Sequence, residues 1–301
     1  MARRYSGNLD EKNARLVHAV KQLNVRAYMY EPPEVPTGKS WYHDKVKEGA
    51  TLVPRSFWFI DFDVHELLGI DISKPPVKTS NEILKNAKKP WKNIVLSGNV
   101  EAEFFYATLL GGDIVPFGFS TMRLVVLPIE VAATGYRLLD VTALRNRGYV
   151  LMADWLEKAQ KIWRKNATSR SLHSHPHIIS WINYMNKLTN QNSRKRYIIL
   201  YNASGTNIAS CVIDRQFLPE IRVLQASIKP KNFVVDSKSF YYETDIENEA
   251  HYLCAILNSN VINESIKPYQ PRGLFGEREI QRRPFMFPIP KFDANNPKHI
   301  E

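Results

Sequence analysis

"RYIILYNASGTNIASCVID", residues 196–214, decides how the rest of the chain is read. Tyr197, Ile198, Ile199, Leu200 and Tyr201 form a short run of branched and aromatic residues. "NASGTN" supplies turn residues, and "IASCVID" resumes the apolar pattern. Such runs bounded by turn formers predict a strand, a turn and a second strand. "NFVVDS" (residues 232–237) and "SFYYET" (residues 239–244) predict two more short strands. "TDIENEAHYLCAILNS" then predicts a helix opened by a capping box, Thr244 with Glu247, with Ala250, Leu253, Cys254 and Leu257 on its buried face. A shorter helical piece, "NVINESI", ends before Pro268.

Working towards the N-terminus, "NQNSRKR" (residues 190–196) is polar and basic and marks a soft boundary near 190–195. Ahead of it, "PHIISWINYMNKL" predicts a helix with Ile178, Trp181, Ile182 and Met185 on one face. "YVLMADWLEKAQKIWRK" predicts another, with Met152, Trp155, Leu156, Ala159 and Trp163 as a stripe. Lys158, Lys161, Arg164 and Lys165 fall mostly off that stripe. "SFWFIDFDV" and "TMRLVVLPI" predict strands. "NIVLSGNVEAEFFYATLLGG" predicts strand, turn and helix, stopped by Gly111 and Gly112. "EKNARLVHAVKQL" (residues 11–23) predicts an amphipathic helix, and the proline-rich "YEPPEVPTGKSWYHDK" an extended arm. The expected class is α+β. Residues 1–190 form a mixed α/β region with a helical connector, and residues 191–301 a unit of short strands and helices.

The 301 residues are 44% hydrophobic, enough for a sizeable core, and their net charge of +11 favours a polyanionic partner. Cys211 and Cys254 are the two cysteines and both lie in apolar surroundings. A disulfide scaffold is therefore not expected, and a reducing cytoplasm is. No apolar run approaches the roughly 18–20 residues of a membrane span.

Catalytic signatures are absent from the sequence. There is no glycine-rich dinucleotide turn and no phosphate-binding loop. The nearest string to an adenine methyltransferase's Asn/Asp-Pro-Pro-Tyr/Phe element is "YEPPEVP", which has the wrong flanks. His173, His175 and His177 are spaced by two, but Pro176 and the helix that follows spoil a shared metal-binding face. Asp61, Asp63 and His65 alternate on one side of a strand, which keeps a metal-dependent nuclease as an alternative. No metal site and no catalytic residue is assigned.

Positive charge concentrates in residues 74–92, 145–147, 194–196 and 267–283. The first carries six lysines against Glu82. The last carries Lys267, Arg272, Arg278, Arg282 and Arg283 against Glu277 and Glu279. Arginine's planar fork can grip a phosphate or the O6/N7 edge of guanine with two bonds. Gly273 and Gly276 let backbone approach closely, and Gln270 and Gln281 can reach base edges. Lys85, Lys88, Lys89 and Lys92 are further phosphate candidates. Asn258 and Ser259, at a helix end, are expected to be structural.

Three elements carry a resemblance: the helix ending "AILNS", the loop "PRGLFGEREI" and the exit "PFMFPIPKFD". Their order is similar to the end of the target-recognition domain of type IIG restriction–modification enzymes and related adenine-specific DNA methyltransferases. Type I specificity subunits show a looser version. Upstream, "LVPRSFWFIDFD", "RLVVLPI" and "ADWLEKAQKIW" resemble the segment joining the methyltransferase core to that domain. The resemblance implies sequence-specific recognition of double-stranded DNA on behalf of a methyltransferase module. It also implies that S-adenosylmethionine is bound in a partner or a missing N-terminal half, and not in this chain. The alternative is a docking subunit whose tryptophan-striped helices hold the catalytic partner.

Overall fold

The computed structural model describes residues 38–300 apart from 66, 68, 274 and 275. The chain forms two units, Met1–Val35 and Pro36–Glu301, and the described residues all belong to the second. The helix expected over residues 11–23 and the start of the proline-rich arm lie outside the described residues.

In chain order the first elements are β1 (Lys47–Glu48), α1 (Arg55–Trp58), β2 (Ile60–Phe62), β3 (Pro76–Thr79), α2 (Asn81–Asn86), β4 (Ser97–Asn99) and β5 (Phe105–Thr108). β6 (Ile114–Val115), β7 (Gly118–Phe119), β8 (Arg123–Val126), β9 (Ile129–Val131) and β10 (Tyr136–Leu138) follow. A helical stretch comes next, with α3 (Val141–Asn146), α4 (Val150–Asn166), α5 (Ser169–Ser174) and α6 (Ile178–Ile182). The last part holds β11 (Tyr197–Asn202), β12 (Ser210–Asp214), β13 (Ile221–Val223), β14 (Ala226–Ile228), β15 (Ser239–Thr244), α7 (Glu247–Asn258), α8 (Asn260–Ile266), β16 (Arg272–Gly273) and β17 (Gly276–Glu277). The fold is α+β, with strands gathered into small antiparallel sheets.

β11 lies inside a four-stranded sheet of order β1-β15-β11-β12, and all six of its residues are buried. Its alternation shows why the run is apolar throughout. Tyr197, Ile199 and Tyr201 enter a core with Ala250, Leu253 and Leu257 of α7. Ile198 and Leu200 enter another, with Ala107, Phe233 and Val235. A third and larger core joins α1, β2, β5 and β8 to the buried face of α4. Trp155 and Trp163 are 1% and 2% exposed, so the tryptophan stripe points inward and is not a docking face.

Five expectations need correction. "NFVVDS" forms no ladder strand. It is an extended tie with single bridges at Phe233 and Asp236. Of "EFFYAT" only Glu103 and Phe104 belong to a single helical turn, Ala102–Phe104; the rest is β5, buried at every residue between β8 and the Phe233 segment. "SFWFIDFDV" begins as α1 before it becomes β2. The helix expected through Leu188 ends at Ile182. Asn183 turns its side-chain oxygen to accept from the Thr189 amide at 3.1 Å and hydroxyl at 3.2 Å, and Met185 and Asn186 are left-handed with φ of 55° and 57°. The helix α7 starts after Ile246, so Thr244 lies too early to cap it with Glu247. Its hydroxyl donates instead to Glu249, which also accepts from Tyr42 Oη at 3.0 Å. Asn258 and Ser259 are structural, as expected. Asn258 pairs with both backbone groups of Ser210 at 2.9 Å, and Ser259 caps α8.

Asp236 ends the extended tie with a fully buried side chain, held by Arg55 Nη2 at 2.6 Å. Burial raises its carboxyl above the usual range, and the Arg55 charge acts the other way. A raised folded value means that this group favours folding most when protonated, and that the contribution falls as pH rises through that value. Arg55→Met should therefore cost about 3–5 kcal/mol at neutral pH, because it leaves a buried charge unpaired. The loss should shrink as pH falls and Asp236 takes up a proton. Urea unfolding at pH 7 and pH 5 checks this; an equal loss at both would assign the effect to packing.

Candidate nucleic-acid interface

The C-terminal basic segment leaves α8 as a single turn, Lys267–Tyr269, and then forms a small hairpin. β16 pairs with β17 in the register Arg272 with Glu277 and Gly273 with Gly276. The Arg278 amide donates to the Pro271 carbonyl at 3.0 Å and closes the hairpin's base. Ile280 follows, fully buried in the core beneath α7. Glu279 and Gln281 on either side of it are left-handed, with φ of 58° and 46°. Non-glycine residues hold that conformation only where their surroundings impose it. Here the surroundings are β11 and its turn. The Ile280 and Gln281 amides donate to the Ala203 carbonyl at 2.9 and 3.1 Å, and Tyr201 Oη donates to the Gln281 carbonyl at 2.7 Å. Burial pushes the Tyr201 phenol well above its usual range, with the Arg282 charge acting against this, so the hydroxyl stays a donor.

The anchoring sets the outward-facing residues. Gln281 and Arg282 are exposed and line a cleft of about 460 Å³. Opposite them are Lys47 and Glu48 of β1, and Met185, Lys187 and Asn190 from the turn after α6. Lys187 is tied to Glu48 at 2.6 Å, and Lys47 donates to the Asn190 carbonyl at 3.1 Å. Among the described residues Arg282 has no ion-pair partner. The cleft thus presents a guanidinium, two side-chain amides and the apolar Met185, which is 69% exposed. Such a set can hydrogen-bond the polar edge of a base or hold a phosphate. Sequence reading missed Lys47, Met185, Lys187 and Asn190, because they reach the cleft only through the β1–β15 pairing and the left-handed turn.

The other expected residues separate. Arg278 is exposed near the hairpin. Gln270 turns inward instead: it is 5% exposed, and its amide donates to the Gly205 carbonyl at 3.0 Å, so it holds the loop in place and does not face solvent. Arg283 is half-buried and donates to the carbonyls of Tyr269, at 2.7 Å, and Glu279. Lys267 pairs with Glu264 at 2.5 Å. Lys85, Lys88, Lys89 and Lys92 are all exposed, on α2 and the loop after it.

Two of the four basic segments are largely neutralised within the fold. Arg145 meets Asp154 and Glu157, and Arg147 meets Glu130. Lys195 pairs with Asp245 and Arg196 with Asp214. The nuclease alternative gains nothing from the geometry. Asp61 accepts from the Asn81 amide at 2.8 Å, Asp63 pairs with Lys78 at 2.8 Å, and His65 accepts from the Leu67 amide at 3.3 Å. Among the described residues no three His, Cys, Asp or Glu side chains could hold a metal ion, and no helix is long and apolar enough to cross a membrane.

No protein-family model and no curated protein matches the chain. Among solved structures, the Type IIL restriction-modification enzyme MmeI in complex with DNA is similar at a TM-score of 0.39 and 13% identity. The likeness covers 81% of this chain and 24% of that one. A likeness this distant carries no argument about chemistry.

Tyr201→Phe removes the donor that holds the Gln281 carbonyl. Unfolding free energy should fall by about 1 kcal/mol. Hydrogen exchange should speed up locally at residues 279–283 and stay unchanged in β11. Uniform acceleration across the sheet would show that the hydroxyl supports the core and not the loop.

Proposed function

We propose that this chain binds double-stranded DNA and supplies target recognition to an adenine-specific methyltransferase or a related restriction–modification system. The observation behind the proposal is the anchored loop. Ile280 and the Tyr201 hydroxyl fix a backbone that displays Gln281 and Arg282 in an open cleft. A rigid support matters because base readout tolerates little error in side-chain position. Arg282 can bond guanine O6 and N7 together, and Gln281 or Asn190 can bond adenine N6 and N7. Arg272 and Arg278, on and beside the hairpin, are assigned to the same duplex as phosphate or base contacts. Catalysis, and the S-adenosylmethionine it uses, is assigned to a separate methyltransferase module that flips the target base.

Selection of bound duplexes from a random pool tests the reading directly. The full chain should enrich a short motif. Gln281→Ala with Arg282→Ala should relax preference at one or two positions of that motif, at about 1–3 kcal/mol per lost bidentate contact. The remaining positions should keep their preference. An unenriched pool with the wild-type chain, or an unchanged motif with the variant, would refute the assignment.

A further inference from the structure

Lysines 85, 88, 89 and 92 sit in a segment without acids: none occurs between Glu82 and Glu101. A second acid-free segment runs from Lys158 to Ile213 and includes the C-terminal half of α4, together with α5. The fold joins the two. Trp91, in the lysine loop, stacks on Trp163 of α4 with ring centres 5.6 Å apart and planes 6° from parallel. Lys158 ties the same helix to β4, donating to the Ser97 carbonyl at 3.0 Å. The loop's lysines thereby share one neighbourhood with Lys161, Arg164 and Lys165 of α4 and Arg170 of α5, all exposed. None of these eight cations has an ion-pair partner among the described residues.

The acids that border this face are engaged elsewhere. Glu82 holds Arg123 at 2.8 Å, and Asp154 and Glu157 hold Arg145 at 3.0 and 3.1 Å. Glu101 caps α4, accepting from the Leu151 and Met152 amides at 3.1 and 2.8 Å. Arg164 and Lys165 suit the negative end of the α4 dipole. That accounts for two charges of eight; Lys85 faces Glu82, with which it lines a cleft, and the other five have no ion-pair partner among the described residues.

The stack continues towards the cleft. Trp163 stacks on Trp181 at 5.7 Å, and Trp181 meets Tyr184 at 5.7 Å. Tyr184 directly precedes Met185, and the Lys187 ammonium lies 5.9 Å from its ring centre. A ladder of aromatic rings therefore sets the distance between the cationic face and the turn that lines the cleft. Duplex DNA carries one charge per about 1.7 Å of its axis, so a ladder of this length spans many phosphates.

We propose that Lys85, Lys88, Lys89, Lys92, Lys161, Arg164, Lys165 and Arg170 form a sequence-independent phosphate track, held at a fixed offset from the Gln281–Arg282 cleft so that one duplex engages both. This rests on the DNA-binding reading of the cleft. The track supplies affinity and register, and the cleft supplies preference. Trp163 is 2% exposed and Trp91 and Trp181 are half-buried, the exposed Tyr184 lying at the cleft end, so the cationic face offers a partner mainly charge. That favours a phosphate polymer over a lipid surface, which would also take up exposed apolar side chains.

The test is Lys161→Gln/Arg164→Gln/Lys165→Gln in the full chain. All three side chains are exposed, and circular dichroism would verify the fold. Duplex affinity is measured by fluorescence anisotropy from 50 to 200 mM salt. Three lost phosphate contacts should make the log–log salt slope shallower by about 2.7, so wild type should lose roughly 40-fold more affinity than the variant across that range. The selected motif should not change. Wild-type binding with an unchanged slope in the variant would overturn the track and leave the cleft reading intact. An altered motif would likewise overturn the division of roles. If the wild-type chain binds no duplex at any salt, the DNA-binding reading falls and the track with it. Loss of binding to phosphatidylglycerol vesicles by the variant, with duplex binding unchanged, would assign the face to a membrane surface instead.

Discussion

A single extended tie, residues 231–236, holds the described unit together. Its backbone bonds go to three separate regions. The Lys231 amide donates to the Phe105 carbonyl at 2.7 Å, and the Val234 amide to the Ala107 carbonyl at 2.9 Å. Gln191 pairs with both backbone groups of Val235, at 2.8 and 2.9 Å, while the Ala50 amide donates to the same carbonyl at 2.7 Å. Side chains repeat the pattern: Val234 enters the large core, and Phe233 and Val235 enter the core behind β11. The approach at its end is so close that a β-carbon on Gly49 would overlap the Asp236 carbonyl. A buried backbone must find partners for all its polar groups, and this one finds them across the whole unit.

The cleft depends on that tie at one remove. β1 forms one wall of the cleft through Lys47 and Glu48, and its position is set by pairing with β15 and by the Ala50–Val235 bond. The opposite wall is set by β11, whose Tyr201 and Ala203 hold the C-terminal loop. Both walls therefore refer to the same sheet. The residues that face the cleft sit on loops, but left-handed Glu279, Gln281 and Met185 are held by a scaffold that leaves their backbones little freedom.

Much of the sheet was legible because its strands follow short-range rules. Residues 197–202 and 239–244 are apolar runs between turn formers, and α7 keeps a helical stripe. "NFVVDS" has the same local composition as a strand, but its partners lie more than a hundred residues upstream as well as nearby. Nothing within six residues distinguishes a ladder strand from a tie. "EFFYAT" failed for a related reason: burial on both faces erases the period that separates strand from helix. The loop's cations were legible as residue types, but their roles were not. Gln270 and Gln281 look alike in sequence; one is a buried strut and the other faces the cleft.

The net charge of +11 is similarly misleading as a total, because the fold pairs some cations internally and leaves others unpaired. Arg55, Arg123, Arg147, Arg196 and Arg215 each meet a carboxylate, and Arg215 and its partner Glu243 are 6% and 5% exposed. Arginine suits this use, being weakly hydrated and able to form paired bonds. The lysines of residues 85–92 meet none among the described residues. Richness in arginine therefore says little about which cations this fold leaves unpaired, and lack of neighbouring acids says more. Arg282 is informative because it departs from that pattern: it is an exposed arginine on a rigid loop, beside a cleft whose other cations are already tied to the protein. Arg164 and Arg170 are also unpaired among the described residues, but they lie on helices away from the cleft; Arg282 is the unpaired guanidinium that lines it, which is the physical basis for proposing the cleft, and not the charge total, as the point of recognition.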